Sequence, residues 1–321
     1  RAEQSRADNI DILKAICAFL IVCIHAPFPG VIGEYFTTLT RIAVPVFFMI
    51  TGYFYLDVEK KNGEIRQIKK IFQLVLEANV LYLLWDSFYA ILSRNMSFFA
   101  DTFTIENFLK FIFFNESPLK GHLWYLGAIL YVLIIVYVFD KLKIGKCLCF
   151  ATPILLKYSV FLLGREFPYI LVRNFLFVGI PYFCIGRLIR NGFGQKIKKN
   201  ALTIFLIVFS ATSLLERFAL VSLNVNATRD HYISTTLLAI TVILFTLKCH
   251  GDNKTLALIG RKYSTWLYIL HPIFITCIGM VAHKAGVYGI YKFIAPIVVY
   301  ITTLIFLVIV NKIKMAAVIE R

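Results

Sequence analysis

The sequence predicts an all-α, polytopic integral membrane protein of about ten transmembrane helices with both termini cytoplasmic. Three observations carry this. The 321 residues are 59% hydrophobic, with a mean hydropathy of +0.76. Only 16% are charged, where soluble domains hold about a quarter. The charges fall in short clusters between long apolar stretches, which is how Lys and Arg fix the orientation of membrane spans. A water-soluble fold of this size has no way to hide so much apolar surface.

A net charge of +16 raises nucleic acid as a partner. That class needs a basic stripe on a soluble face, and the sequence has none, so the partner is the lipid bilayer and no nucleic acid is expected. The seven cysteines (Cys17, Cys23, Cys147, Cys149, Cys184, Cys249 and Cys277) lie in apolar stretches or beside cytoplasmic loops. They read as small buried hydrophobes rather than a disulfide frame. Cys147 and Cys149 lack the partner ligands of a zinc pattern, and no metal is expected. The first apolar stretch has no small-residue cleavage site, so no signal peptide is read there. The chain opens on Arg1 rather than Met, which reads as a segment of something larger.

About 20 apolar residues cross the hydrocarbon layer as a helix. Ten stretches fit: 10–28, 36–56, 70–92, 122–140, 146–164, 168–189, 201–220, 231–249, 263–283 and 292–311. Pro45, Gly52, Pro181, Pro272 and Pro296 fall inside them, which lipid-embedded helices tolerate. With the N-terminus inside, the cytoplasmic segments hold 22 Lys and Arg and the outer ones 7. Lys14, Arg41, Lys157, Arg173 and Arg217 fall within spans. This bias repeats loop by loop and sets the ten-span topology. Within the long outer connection 93–121, the stretch 108–114 (FLKFIFF) is too short to cross and is expected to lie in the interface. Residues 1–311 are read as one transmembrane domain, and 312–321 as a polar cytoplasmic tail leading to a soluble domain.

Ionisable groups inside a span are costly and mark sites or pathways. Lys14 and His25 are eleven positions apart in NIDILKAICAFLIVCIHAPFPG. At about 100° per residue both project from one helix face, separated by a rise of about 16 Å. The alternative is a snorkelling Lys14 and a His25 that ends the helix before Pro27. Arg41 heads the segment TRIAVPVFFMITGYFY, where it either serves a site near His25 or anchors to headgroups, and Gly52 permits close helix packing. His122 and Trp124 open GHLWYLGAILY, with Trp124 also placed for an aromatic belt. His271 precedes Pro272 in YSTWLYILHPIF, where proline frees a backbone carbonyl one turn earlier. Glu77 and Asp86 are nine steps apart on one helix and face opposite ways, so they are no acid–base pair. Glu216 and Arg217 are embedded near the end of the seventh span.

Together these segments resemble the acyltransferase-3 family of multi-pass bacterial membrane proteins over nearly the whole chain. Lys14 and His25 match its first-helix pattern of a basic residue, ten intervening residues and a histidine. RIAVPVFFMITGYFY, HLWYLGAILY, PYFCIGRLI and YSTWLYILHP resemble four further segments in the same order. Pro45 stands where many members have an acid, and Ile129 where many have a glutamate. The likeness extends to a branch holding the membrane domain of vancomycin-resistance serine racemases. There, a soluble pyridoxal-phosphate racemase follows the last helix and the membrane part is thought to bring in serine.

The resemblance implies transfer of an acyl group, acetyl being the expected one, from cytoplasmic acyl-CoA to a hydroxyl or amine of a cell-envelope molecule such as a sugar. His25 is then the general base, since imidazole titrates near working pH. Lys14 or Arg41 offsets charge on the thioester oxygen or a phosphate. Arg66, Lys69 and Lys70 hold the nucleotide phosphates, or simply set topology. Arg41, His122, Trp124 and His271 are candidates for binding the acceptor. The competing readings are a carrier for a small amino acid such as serine, and a plain anchor for a fused soluble racemase domain. Each assigns the same polar groups a different task.

Overall fold

The computed structural model describes residues 2–162, 169–225, 229–249 and 251–319, and every regular element among them is helical. In chain order these are α1 (Ala2–His25), α2 (Gly30–Thr40), α3 (Ala43–Glu59), α4 (Glu64–Leu92), α5 (Phe98–Thr102) and α6 (Ile105–Phe114). A 3-10 turn, Gly121–Leu123, runs into α7 (Trp124–Lys141), followed by α8 (Gly145–Leu162) and α9 (Tyr169–Val172). A π-helical turn, Phe175–Gly179, runs into α10 (Ile180–Arg190). The remaining helices are α11 (Lys199–Ser222), α12 (Ile233–Thr246), α13 (Lys254–Lys262), α14 (Ser264–Lys284) and α15 (Tyr288–Ile319).

Helix occupies each of the ten apolar stretches. Among the described residues, six segments are long and apolar enough to cross a membrane: Gly30–Glu59, Glu64–Leu92, Gly121–Lys141, Lys199–Ser222, Ser264–Lys284 and Tyr288–Lys314. Of the loop cations, Arg1, Arg165 and Arg321 lie outside the described residues, as do positions 163, 164 and 168 at the ends of two stretches.

The second stretch is broken at residues 41–42, between α2 and α3. Pro45 has no N–H to offer the carbonyl of residue 41 and its ring crowds that carbonyl, so the chain interrupts one turn before the proline. The sixth stretch is broken too. Asn174 caps the π-turn, its side chain accepting from the N–H groups of Leu176 (3.0 Å) and Phe177 (2.9 Å). Residues 108–114 form most of α6, where Thr104 accepts from the Asn107 N–H at 3.1 Å and no residue is buried. All seven cysteines are free.

Residues Arg1–Phe47 with Ile197–Arg321 form one compact unit, and Phe48–Lys196 another. In the first unit α1 is the central helix, with α2, α12, α13, α14 and α15 packed on it. It is buried nearly all round: Ile10, Ala15, Cys17, Ala18, Ile21, Val22 and Cys23 are core residues. α13 lies so close that a Cβ on Gly260 would stand 1.7 Å from the Asp11 carbonyl oxygen, so only glycine fits there.

In the second unit α4, α7, α8, the π-turn and α10 pack around Phe48, Tyr82, Leu133, Val136 and Phe183. α3 and α10 cross at a reciprocal pair of glycines. A Cβ on Gly52 would meet the Phe183 carbonyl oxygen at 2.0 Å, and one on Gly186 would meet the Met49 carbonyl oxygen at 2.0 Å. Close helix packing is thus what Gly52 provides. Arg190 donates to Asp57 (2.6 Å) and Arg187 to Asp140 (3.0 Å) at the end of α10.

Candidate functional site

α1 stops at His25 because Pro27 and Pro29 follow, neither able to donate the next helical hydrogen bond. The chain turns on Gly30, at φ +75°, into α2. Gly33 then passes the Phe28 carbonyl so closely that a Cβ would lie 1.8 Å from its oxygen. This turn leaves His25 exposed at the helix end, on the wall of a cavity of about 700 Å³. Arg41, Arg217, Glu34, Tyr288, Tyr291 and Lys292 also line it, with apolar walls from Phe28, Pro29 and Ile275.

Behind His25 sits His271 of α14, fully buried, with the two ring centroids 5.0 Å apart. His271 Nδ1 lies 3.2 Å from the carbonyl oxygen of Leu267, one turn earlier. A carbonyl only accepts, so this contact puts a ring proton on Nδ1 of His271. His271 itself does not line the cavity, while its ring supports the imidazole that does.

The embedded charges of this unit have partners. Arg41, the residue that ends α2, donates to Asp230 at 2.9 Å, with side chains 14% and 10% exposed. Arg217 donates to Glu34 at 3.2 Å. Glu216 accepts from the N–H groups of Ile233 and Ser234, both at 3.0 Å, and so caps the start of α12. Lys292 holds its ammonium 5.0 Å from the centroid of the Tyr288 ring.

Lys14 does not line the cavity. Its ammonium donates to Asp11 at 2.9 Å, and Asp11 also accepts from Arg261 Nε at 2.7 Å. Arg261 reaches Asp8 as well, and the hydrogen bond and charge of Asp11 hold its guanidinium above the usual arginine range. Asn9 bridges the Cys249 carbonyl and the Gly251 N–H (2.7 Å). The first half of α1 is thereby tied to α13 and the segment before it.

His25, His271 and Arg41 are therefore brought together within one unit, and Lys14 sits apart from them in a charge network of its own. In the other unit, His122 is buried with its ring 5.2 Å from that of Tyr82. Trp124 opens α7 with its ring 6.3 Å from Phe48. Beside them Lys120 donates to the buried Asp86 at 2.9 Å, while Glu77, on the other side of α4, is exposed. Arg66, Lys69 and Lys70 are exposed along the first turns of α4, with no carboxylate partner among the described residues.

Glu34, Asp230, Tyr288, Tyr291 and Lys292 escaped the sequence reading as site residues. Arg217 stood out only as an embedded charge. Residues 34, 217 and 292 meet through tertiary packing, and no local pattern links them. Among the described residues no cluster of three or more potential metal ligands occurs.

Six segments able to cross a bilayer among the described residues, with a cationic, imidazole-bearing cavity at a helix end, are the makings of a membrane-embedded enzyme or carrier. The chain belongs to the acyltransferase-3 family, whose profile, described as an acyltransferase domain, matches residues 8–311. It is similar to an amino-acid racemase of Enterococcus faecalis, at 26% identity over 302 residues, covering 86% of this chain and 42% of that protein. It is also similar to a serine/alanine racemase of Enterococcus gallinarum, at 24% over 307 residues, covering 87% of this chain and 42% of that protein. The chain thus spans less than half the length of these relatives. No solved structure matches it.

Proposed function

We propose that the protein is a ten-span membrane acyltransferase, with both termini cytoplasmic, that moves an acyl group, acetyl in the first instance, from acyl-CoA to a hydroxyl or amine of a cell-envelope molecule. The observation that carries this reading is His25, exposed on a cavity wall and backed by the buried ring of His271. Family membership supports the reaction class. Acyl-CoA supplies an activated thioester, whose carbonyl takes the acceptor oxygen or nitrogen as the thiolate leaves. His25 accepts the acceptor's proton as that bond forms and gives it up to the departing thiolate, which leaves as the free thiol. His271, through the Leu267 contact, fixes the ring against which His25 is set. Lys14 acts as a positioning residue through Asp11, because its charge is already matched there. Arg66, Lys69 and Lys70 suit the donor's phosphates because no carboxylate competes for them among the described residues.

A second reading, a carrier for a small amino acid such as serine, is favoured by one observation: Glu34 and the cations Arg217 and Lys292 line the same cavity, as a zwitterion requires. The names of the relatives point the same way, and their length supports a fused soluble racemase domain as partner. Sealed vesicles carrying the protein separate the two. Acyl transfer is expected to consume acetyl-CoA supplied on the cytoplasmic face, without net serine entry. Serine uptake that proceeds at the same rate with and without acetyl-CoA, and with none consumed, replaces the enzyme reading by the carrier.

A further inference from the structure

We propose that the cavity at the end of α1 is a binding site for one oxyanion, a carboxylate or a phosphate ester, held between Arg217 and Lys292, with Glu34 as its built-in competitor. The lining side chains include three cations, Arg41, Arg217 and Lys292, against one carboxylate, Glu34. Arg41 is committed to Asp230, and both are largely buried. The pair of Arg217 with Glu34 is asymmetric: the Arg217 side chain is 9% exposed and that of Glu34 65%. A guanidinium this buried needs an anion at all times. An exposed carboxylate loses little on returning to water. Glu34 therefore stands where a ligand anion fits, and a ligand oxygen pair would satisfy the guanidinium fork at least as well.

Lys292 supplies the second cation. It has no carboxylate partner among the described residues, and its stacking over Tyr288 leaves its N–H donors available. Next to it the Tyr291 hydroxyl is buried without a hydrogen-bond partner among the described residues, and Tyr291 borders the same space. An orphaned buried hydroxyl is costly unless the cavity contents serve it. Apolar walls lower the local dielectric and strengthen charge recognition. A space of about 700 Å³ suits a small molecule or one lipid headgroup. That the ligand's hydroxyl or amine faces His25 rests on the acyl-transfer reading, whereas the binding itself does not.

The test is a thermal-shift titration of the full chain in phosphatidylcholine nanodiscs, with lactate, inorganic phosphate and the neutral lactamide as probes, and a parallel preparation in phosphatidylglycerol. Lactate or phosphate is expected to raise the unfolding midpoint and lactamide to leave it unchanged. Should the source be a lipid headgroup, phosphatidylglycerol raises the midpoint instead. Lys292→Gln is expected to weaken the apparent affinity about tenfold. Glu34→Gln is expected to tighten it about two- to fivefold, because the competitor is gone. Equal shifts with lactamide, no shift with any of the three anions, or weaker anion binding in Glu34→Gln overturns the proposal, the last because it shows Glu34 assisting the anion rather than competing with it. Binding is expected to persist in His25→Ala. If it does while the unaltered protein transfers no acyl group, the acyl-transfer reading falls and the anion site stands.

Discussion

His25→Ala is expected to lower acetyl transfer at least about 100-fold, the usual worth of a positioned general base, and to leave the protein folded. His25 is exposed at a helix end, so its removal opens no core void. His271→Ala makes the contrast. That ring is fully buried between α1 and the Leu267 carbonyl, so its loss is expected to destabilise the protein by about 2 kcal/mol or more as well as slow transfer. Lys14→Met is expected to change transfer far less than His25→Ala, since Lys14 serves Asp11 and not the cavity. Rates and unfolding midpoints measured on the same preparations separate the three. Transfer in His25→Ala within tenfold of the unaltered protein removes His25 from the mechanism as its general base.

Gly260→Val carries the largest expected effect on stability. The Asp11 carbonyl oxygen occupies the place of the first side-chain carbon, and it is backbone, so α13 itself must move away from α1. Overpacking of this kind costs about 3 kcal/mol. The movement also draws the neighbouring Arg261 from Asp8 and Asp11, freeing Lys14's partner at the same time. Gly279→Ala in α14 is the matched control, because nothing lies within 4 Å of its added Cβ and alanine favours a helix interior. Unfolding midpoints in detergent are expected to fall sharply for Gly260→Val and to stay level or rise for Gly279→Ala.

Much of the helical layout was legible because apolar length is a local property. The stretch 263–283 became Ser264–Lys284, and 201–220 became Lys199–Ser222. The break at residues 41–42 was also written in the chain, in Pro45, yet proline in a lipid-facing helix is tolerated often enough that the break does not follow from its presence. α13 was missed because it is nine residues long and lies in a charged loop, though Asn253 caps it by accepting from the Leu256 N–H at 2.9 Å. At the site, helical spacing put Lys14 and His25 on one face, but spacing says nothing about partners. Asp11, three residues away, captures Lys14, and Asp230, from a distant segment, captures Arg41. Charge pairing across helices depends on tertiary packing, and so Glu34 and Lys292 entered only with the fold.

The most direct measurement is the acyl-transfer rate of His283→Asn protein in sealed vesicles treated from outside with diethyl pyrocarbonate, with the modified histidines identified by mass spectrometry. His283 is exposed and is removed beforehand as a competing target, while His122, His231 and His271 are buried. Loss of transfer in step with modification of His25 is the predicted result. Transfer that continues undiminished on protein fully modified at His25 contradicts a catalytic imidazole at the end of α1.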